Sequence, residues 1–162
     1  RPEDEALYAD FMAAVAPEDH RLRFLSAKQP LPHRMLARFT QIDYARDMAF
    51  VAIEPPTGKL LGVARYSADP DRIRAEYAVL VRSDLKGKGL GWSLMRHLVD
   101  HAKATGVGTL FGSVLVENAT MLRMCRALGF AVKSSPEDRS LFEVELDLSK
   151  VPPTICPGRM GA

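Results

Sequence analysis

The sequence predicts an α/β domain built on a mixed sheet with helices on its faces. Three apolar, β-rich segments separated by turns occupy the middle of the chain, which indicates an antiparallel meander. Helix, strand, helix and strand-pair patterns follow it, and that order places helices against the same sheet. A chain of 162 residues is long enough for one domain with one substantial core.

The chain begins with helical patterns. Apolar residues recur at three- and four-residue spacing over residues 2–15, behind acidic residues that suit a helix N-terminus. Pro17 is favourable at the first position of a second short helix. Pro30 and Pro32 interrupt the pattern, and a third short helix is predicted around residues 35–39.

The meander comes next, where the periodicity changes from helical to extended. Strands are predicted over residues 48–54, 60–66 and 74–81, joined by turns at 55–58 and 69–71. The third strand leads directly into a glycine-rich stretch.

The second half of the chain supplies two helices and three strands. Gly106 and Gly129 are suited to end the two helices, and Asn118 is suited to cap the second. The predicted elements are a helix over 90–105, a strand over 110–116, a helix between 118 and 129, and strands over 131–133 and 141–148. The domain is therefore expected to cover residues 1–149, and the Pro- and Gly-containing residues 150–162 to form an irregular tail.

Composition excludes several classes of function. With 22 basic and 20 acidic residues the formal charge is +2, so a polyanion such as nucleic acid is not an expected partner. An apolar run of the roughly 18 residues that a membrane span needs is absent from the sequence, so no membrane partner is expected. Cys125 and Cys156 are interpreted as reduced thiols of a cytoplasmic protein. Because the sequence begins at Arg1 and not at Met, it is expected to be part of a longer protein.

The glycine-rich stretch predicts a phosphate site. Gly87, Gly89 and Gly91 lie between a strand and a helix start, where backbone N–H groups lack intrahelical partners and the helix dipole is positive. Glycines let the backbone approach an anion closely, and Lys86 and Lys88 add positive charge. A purely structural glycine turn is the alternative.

The spacing of the glycines separates several kinds of phosphate loop. The dinucleotide pattern G-x-G-x-x-G fails at Trp92 or Leu94, and the P-loop pattern is absent. The run from Lys86 through Leu90 to Gly91 resembles the pyrophosphate loop of the GNAT acetyltransferases, [RQ]-x-x-G-x-[GA]. It departs from that pattern at its first position, where Lys86 replaces Arg or Gln.

The GNAT resemblance extends over nearly the whole chain. The family's later motif, an Asn that opens a helix ending in Gly-Phe, corresponds to Asn118 and to residues 128–130. The resemblance implies a mostly antiparallel sheet splayed at its middle, with acetyl-CoA in the notch and no metal. It also implies a first strand just before Arg1.

A narrower resemblance is to bacterial protein lysine acetyltransferases of the Pat type. It is carried by residues 17–19, 21–24, 40–44 and 48–52, which have no obvious chemistry of their own. It implies transfer of acetyl to a protein lysine ε-amine, with acyl-CoA synthetases as protein substrates. It further implies fusion to a larger regulatory or synthetase-like domain.

The resemblance also suggests roles for individual residues. Similar enzymes transfer acetyl by direct attack in a ternary complex, and Glu76 matches their general base. Partial burial would raise the pKa of its carboxyl group. The alternative is a solvated glutamate on the strand surface. The backbones of Val79, Leu80 and Val81 are expected to bind the pantetheine arm, and one N–H to polarise the thioester carbonyl. Asn118 is expected to cap its helix, and it is either a plain cap or a cap that also contacts the cofactor.

Three features leave alternatives open. Cys125 stands where many GNAT enzymes have a proton-donating Tyr, and it is either core filling or a thiol acid. His97 and His101 are one helical turn apart, but without a third ligand a solvated helix face is favoured over a metal site. The rival functions are a small-molecule amine acetyltransferase and a non-catalytic acetyl-CoA sensor.

Overall fold

The computed structural model describes residues 4–24 and 46–151 of the chain. Its helices are α1 (Glu5–Ala13), α2 (Pro17–Phe24), α3 (Leu90–Ala104) and α4 (Ala119–Leu128). Its strands are β1 (Asp47–Ile53), β2 (Leu60–Ala68), β3 (Arg74–Val81), β4 (Thr109–Leu115), β5 (Ala131–Ser134) and β6 (Leu141–Asp147). Each predicted element in these ranges is present, with ends that differ by up to about three residues. The predicted helix around 35–39 and the tail beyond residue 151 lie outside the described residues.

The sheet has the strand order β1-β2-β3-β4-β6-β5. Its neighbouring strands are antiparallel except β3 and β4, which run parallel. The parallel pairing is short and joins Arg74–Glu76 to Thr109–Phe111, after which the two strands separate. The prediction of a mixed, mostly antiparallel sheet that is splayed in its middle is confirmed.

Helices cover both faces of the sheet. The larger core lies between one face and helices α3 and α4, where Met95, Leu98 and Leu110 are completely buried. On the opposite face α1 packs Tyr8 and Phe11 against β2. None of the helices within the described part of the chain is long and apolar enough to cross a membrane.

A packed group of side chains fixes α4 against β3 and β4. The Tyr77 hydroxyl lies 3.2 Å from the Cys125 Sγ, and its ring meets that of Phe130 edge-on, with 5.4 Å between the ring centroids. A Cβ atom at Gly112 would lie 2.8 Å from the Tyr77 ring, so the ring fits only because residue 112 is glycine. This contact positions the wall of the notch that α4 supplies.

The two histidines of α3 pack against the strands. His97 stacks on Phe50, and His101 Nδ1 lies 3.0 Å from the Tyr66 hydroxyl. His101 also lines a second cavity of about 130 Å³, between α3 and the start of β1. Among the described residues no cluster of three potential metal ligands occurs.

Candidate active site

A cavity of about 480 Å³ lies where β3 and β4 separate. It is bounded by α2, β3, the glycine loop with the start of α3, β4 and the start of α4. Its lining residues are Asp19, Leu22, Arg23, Glu76, Tyr77, Ala78, Val79, Leu80, Val81, Leu85, Lys86, Gly87, Gly89, Leu90, Gly91, Trp92, Ser113, Val114, Asn118, Thr120 and Met121.

The free edge of β3 presents alternate backbone groups to the cavity. Arg82 N–H donates to Leu61 O at 2.9 Å, and Arg74 C=O accepts from Asp69 N–H at 2.9 Å. Backbone hydrogen bonds in an antiparallel pair alternate along each strand. The N–H and C=O groups of even-numbered β3 residues therefore bond to β2, and those of odd-numbered residues point toward the notch. The N–H and C=O groups of Val79 and Val81 therefore face the cavity, whereas Leu80 lines it with its side chain only.

The glycine loop turns the chain into α3 through two left-handed residues. Gly87 has φ 79° and Gly89 φ 81°, a region that costs other residues energy, and Gly89 is the N-cap of α3. Gly91 has no such conformation. Ser93 N–H makes a helical bond to Gly89 O at 3.0 Å, so the three N–H groups before it, including that of Leu90, have no intrahelical acceptor. This end of α3 is suited to an anion.

The two lysines of the loop differ in position. Lys86 lines the cavity and forms an ion pair with Asp19 of α2. Lys88 is exposed and is not among the lining residues.

Asn118 lies on the opposite wall of the cavity. Its Oδ1 accepts a hydrogen bond from Met121 N–H at 3.2 Å, so its predicted role as the cap of α4 is confirmed.

Glu76 lies at the last residue pair before β3 and β4 separate, and it lines the cavity. Its side chain is exposed, so the partial burial expected from the sequence is absent. The expectation was wrong because alternation along β3 directs Tyr77 and Val79 into the core and Glu76 to the other face. Burial and the charge of Arg65 lower the pKa of the neighbouring Arg23 to about 10, while the carboxylate of Glu76 acts in the opposite direction.

Cys125 is completely buried beneath the cavity floor and does not line the cavity. Burial raises the pKa of its thiol, although the hydrogen bond to Tyr77 and the charge of Arg126 lower it. Burial also raises the pKa of the Tyr77 phenol strongly. Of the two interpretations left open by the sequence, the geometry matches core filling.

Several lining residues were missed by sequence reasoning. Asp19, Leu22 and Arg23 come from α2, which is far from the glycine loop in sequence and meets the cavity only through tertiary packing. Trp92 directly follows Gly91, and its only notable feature in the sequence is that it interrupts the dinucleotide pattern, which does not predict a place in the cavity wall. Ser113 had no signal beyond its place in a strand.

Together, these features define a class of protein. A sheet that opens between two parallel strands, an unpaired strand edge and a helix N-terminus beside it form a site for a long cofactor with a diphosphate at one end. Residues 14–130 match the family model described as the acetyltransferase (GNAT) family. The chain belongs to the GNAT family and is an acetyl-CoA-dependent N-acetyltransferase.

Three curated relatives align with most of the chain. The chain is 34% identical to acetyltransferase PA5475 of Pseudomonas aeruginosa, over 85% of this chain and 75% of that protein. It is 32% identical to the L-methionine sulfoximine/L-methionine sulfone acetyltransferase of the same species, over 63% of this chain and 62% of that protein. It is 30% identical to acetyltransferase Pat of Mycolicibacterium smegmatis, over 80% of this chain but only 38% of that protein.

A solved structure extends the likeness in fold. The GNAT domain of PAT from S. lividans superposes with a TM-score of 0.81 at 23% identity, covering 90% of this chain and 85% of that domain. The expected GNAT fold and the expected likeness to the Pat type are confirmed.

The first prediction concerns the glycine loop. In Gly89→Ala the added Cβ strains a residue at φ 81°, and relief of that strain shifts the N–H groups of α3. We expect the Kd of acetyl-CoA, measured by titration calorimetry, to rise about tenfold and stability to fall by about 1 kcal/mol. Gly106→Ala is the matched control, because Gly106 also has a positive φ of 86° and open space for a Cβ but follows the other end of α3, away from the cavity. Equal Kd values for the two variants would contradict this role of Gly89.

The second prediction concerns alkaline pH. Above about pH 8.5 an unfolded cysteine loses its proton, but Cys125 in the native state keeps it because its pKa is raised. The unfolded state then binds fewer protons, so the free energy of unfolding falls as pH rises. Tyr77 adds to this loss above about pH 10. Urea titrations at pH 7.5, 9 and 10.5 check it: Cys125→Ala should lose stability less steeply than the wild type, and equal slopes would show that Cys125 does not contribute.

Proposed function

We propose that the protein transfers acetyl from acetyl-CoA to the ε-amine of a lysine on another protein. The observation that carries this proposal is the position of Glu76, an exposed carboxylate at the point where the cavity opens between β3 and β4. A lysine presents its amine at the end of a four-carbon stem, which suits a base that is reached from the protein surface. A proton acceptor must lie within hydrogen-bond reach of the attacking amine, and Glu76 would have that position for an amine that enters at this opening.

The proposed chemistry is direct attack by the amine on the thioester carbonyl. Glu76 takes a proton from the amine. The amine nitrogen forms the new bond to the acetyl carbon, and the carbon–sulfur bond of the thioester breaks. The N–H groups of Val79 and Val81 face the notch and are suited to stabilise charge on the carbonyl oxygen. The departing thiolate takes its proton from solvent, because the Cys125 thiol is buried. Positioning of the two substrates supplies much of the rate enhancement.

Cofactor binding follows from the same geometry. Lys86 and the backbone of Gly87, Gly89, Leu90 and Gly91 are proposed to hold the diphosphate. The edge of β3 at Val79 and Val81 is proposed to bind the pantetheine arm as an added strand would bind, with the Leu80 side chain beside it. Asn118 is proposed to contact the arm from α4, whereas Lys88 contributes only through its long-range charge.

The likeness to Pat supports a protein acceptor. Pat is 30% identical over 80% of this chain, and the matched domain is part of a longer protein. By analogy we propose acyl-CoA synthetases as the protein substrates, a cytoplasmic location, and linkage of the domain over residues 1–149 to a further domain.

A second candidate acceptor is a free α-amino acid. The charges of Arg23 and Arg65 lie close enough to influence each other, and Arg23 also interacts with Glu76. Cationic guanidinium groups beside the base suit an amine that carries a carboxylate next to it. The relative that acetylates L-methionine sulfoximine and L-methionine sulfone agrees with this alternative.

The base assignment predicts a clear separation of binding from turnover. Glu76→Gln keeps the shape of the side chain but removes its basicity, so we expect kcat to fall about a hundredfold or more and the Kd of acetyl-CoA to stay nearly unchanged. Glu54→Gln is the control, since Glu54 lies in the β1–β2 turn, where it bonds Thr57. Thiol release and calorimetry measure the two quantities. Full turnover in Glu76→Gln would remove Glu76 from the mechanism.

The acceptor is identified by thiol release with two sets of substrates. One set contains an acyl-CoA synthetase, followed by mass spectrometry of its lysines, and the other contains free amino acids, including methionine sulfone. Release with the synthetase and acetyl on its lysine is the expected result. Release with free amino acids alone would favour the second candidate, and tight binding of acetyl-CoA without turnover would favour a sensor.

A further inference from the structure

Helix α2 is tied to the cofactor loop by a buried carboxylate. Asp19 Oδ2 accepts a hydrogen bond from Ser83 Oγ at 2.6 Å, and Asp19 Oδ1 forms an ion pair with Lys86 Nζ. The Ser83 hydroxyl in turn accepts from Ala16 N–H at 2.7 Å, just before α2 begins. Only 11% of the Asp19 side chain is exposed, whereas 48% of the Lys86 side chain is, so solvent screens the ion pair in part from the lysine side.

The same helix reaches the opposite wall of the notch. Arg21 forms an ion pair with Glu117 at 2.6 Å, and Glu117 directly precedes Asn118, the cap of α4. Leu22 and Arg23, which follow on α2, line the cavity. Helix α2 therefore spans the notch from the cofactor loop to the start of α4.

The contact between Asp19 and Lys86 joins this helix to the cofactor charge. Lys86 is the loop cation proposed to face the diphosphate. Its ammonium interacts less strongly with the diphosphate while it also forms an ion pair with the Asp19 carboxylate. A shielded carboxylate beside that site repels a diphosphate and neutralises part of the charge of Lys86. Asp19 and Arg23 lie on the same helix, so the contacts of Asp19 with Ser83 and Lys86 also set where Arg23 lies in the cavity.

We propose that Asp19 is a positioning residue that couples occupancy of the cofactor loop to the placement of α2 over the acceptor side of the site. It lowers the affinity for acetyl-CoA and, in exchange, holds α2 where the acceptor amine meets Glu76. The second half of the proposal rests on the proposed function of Glu76. The first half concerns cofactor binding alone. This role also gives a physical meaning to the segment Pro17-Glu18-Asp19, which resembles the Pat type but had no chemistry that the sequence could reveal.

The test uses Asp19→Asn, which removes the charge while its amide oxygen still accepts from Ser83. We expect the Kd of CoA, measured by calorimetry, to fall about threefold, since Lys86 loses a competing anion. We expect kcat to fall about tenfold, because α2 loses one of its attachments. A merely structural role would instead raise the Kd or leave both constants unchanged.

A double-mutant cycle isolates the coupling to Lys86. Lys86→Met should raise the Kd of CoA, and adding Asp19→Asn to it should then tighten CoA binding less than Asp19→Asn does alone. Arg21→Met cuts the other attachment of α2 and should lower kcat without tightening CoA. Asp71→Asn, in the β2–β3 turn at the far end of the sheet, is the matched control for loss of a carboxylate.

The outcomes separate this proposal from the proposed function. Weaker CoA binding in Asp19→Asn, or the same tightening in the Lys86→Met background, overturns the coupling whatever the acceptor is. Tighter CoA binding with unchanged kcat overturns the positioning half. The CoA titrations need no turnover, so they remain decisive even if Glu76→Gln shows that Glu76 is not the base.

Discussion

The separation of β3 from β4 after Glu76 is the constraint on which the rest of the site depends. Three residue pairs join the strands, and beyond them no strand within residues 4–24 and 46–151 pairs with the odd-numbered backbone groups of β3 on that side. Unpaired backbone groups in a protein interior are costly, so such an edge is stable only if solvent or a ligand satisfies it. The strand that creates this edge also carries the candidate base and leads into the glycine loop. One divergence therefore sets the place of the strand edge, the anion site and the carboxylate.

The packing behind the notch keeps the two strands apart. Tyr77 fills the space beneath β4 that Gly112 leaves open, and it meets Cys125 from α4. In many GNAT enzymes the position of Cys125 carries a Tyr that serves the thiolate, whereas here a Tyr of β3 occupies the core and a small thiol makes room for it. The departure from the family pattern at Cys125 is therefore explained by packing.

The local parts of the structure could be predicted from the sequence, and the long-range parts could not. Periodicity located the strands and helices because each burial pattern is carried by consecutive residues, and the loop around Gly89 was evident because left-handed backbone favours glycine. The exposure of Glu76 was misjudged because apolar neighbours in sequence, such as Tyr77, lie on the other face of a strand. The attachment of Asp19 to Lys86 joins residues 67 positions apart, and no local pattern reports such a pair.

Amide hydrogen exchange with and without CoA reports whether the notch between β3 and β4 binds the cofactor. If the notch binds the cofactor, the amides of Val79, Val81 and the first turn of α3 should gain protection, while the amide of Leu80, already bonded to β2, should change little. Alternation of protection along β3 would report the orientation of each backbone group. Unchanged exchange at Val79 and Val81, with new protection around Tyr66 and His101 at the second cavity, would contradict the account.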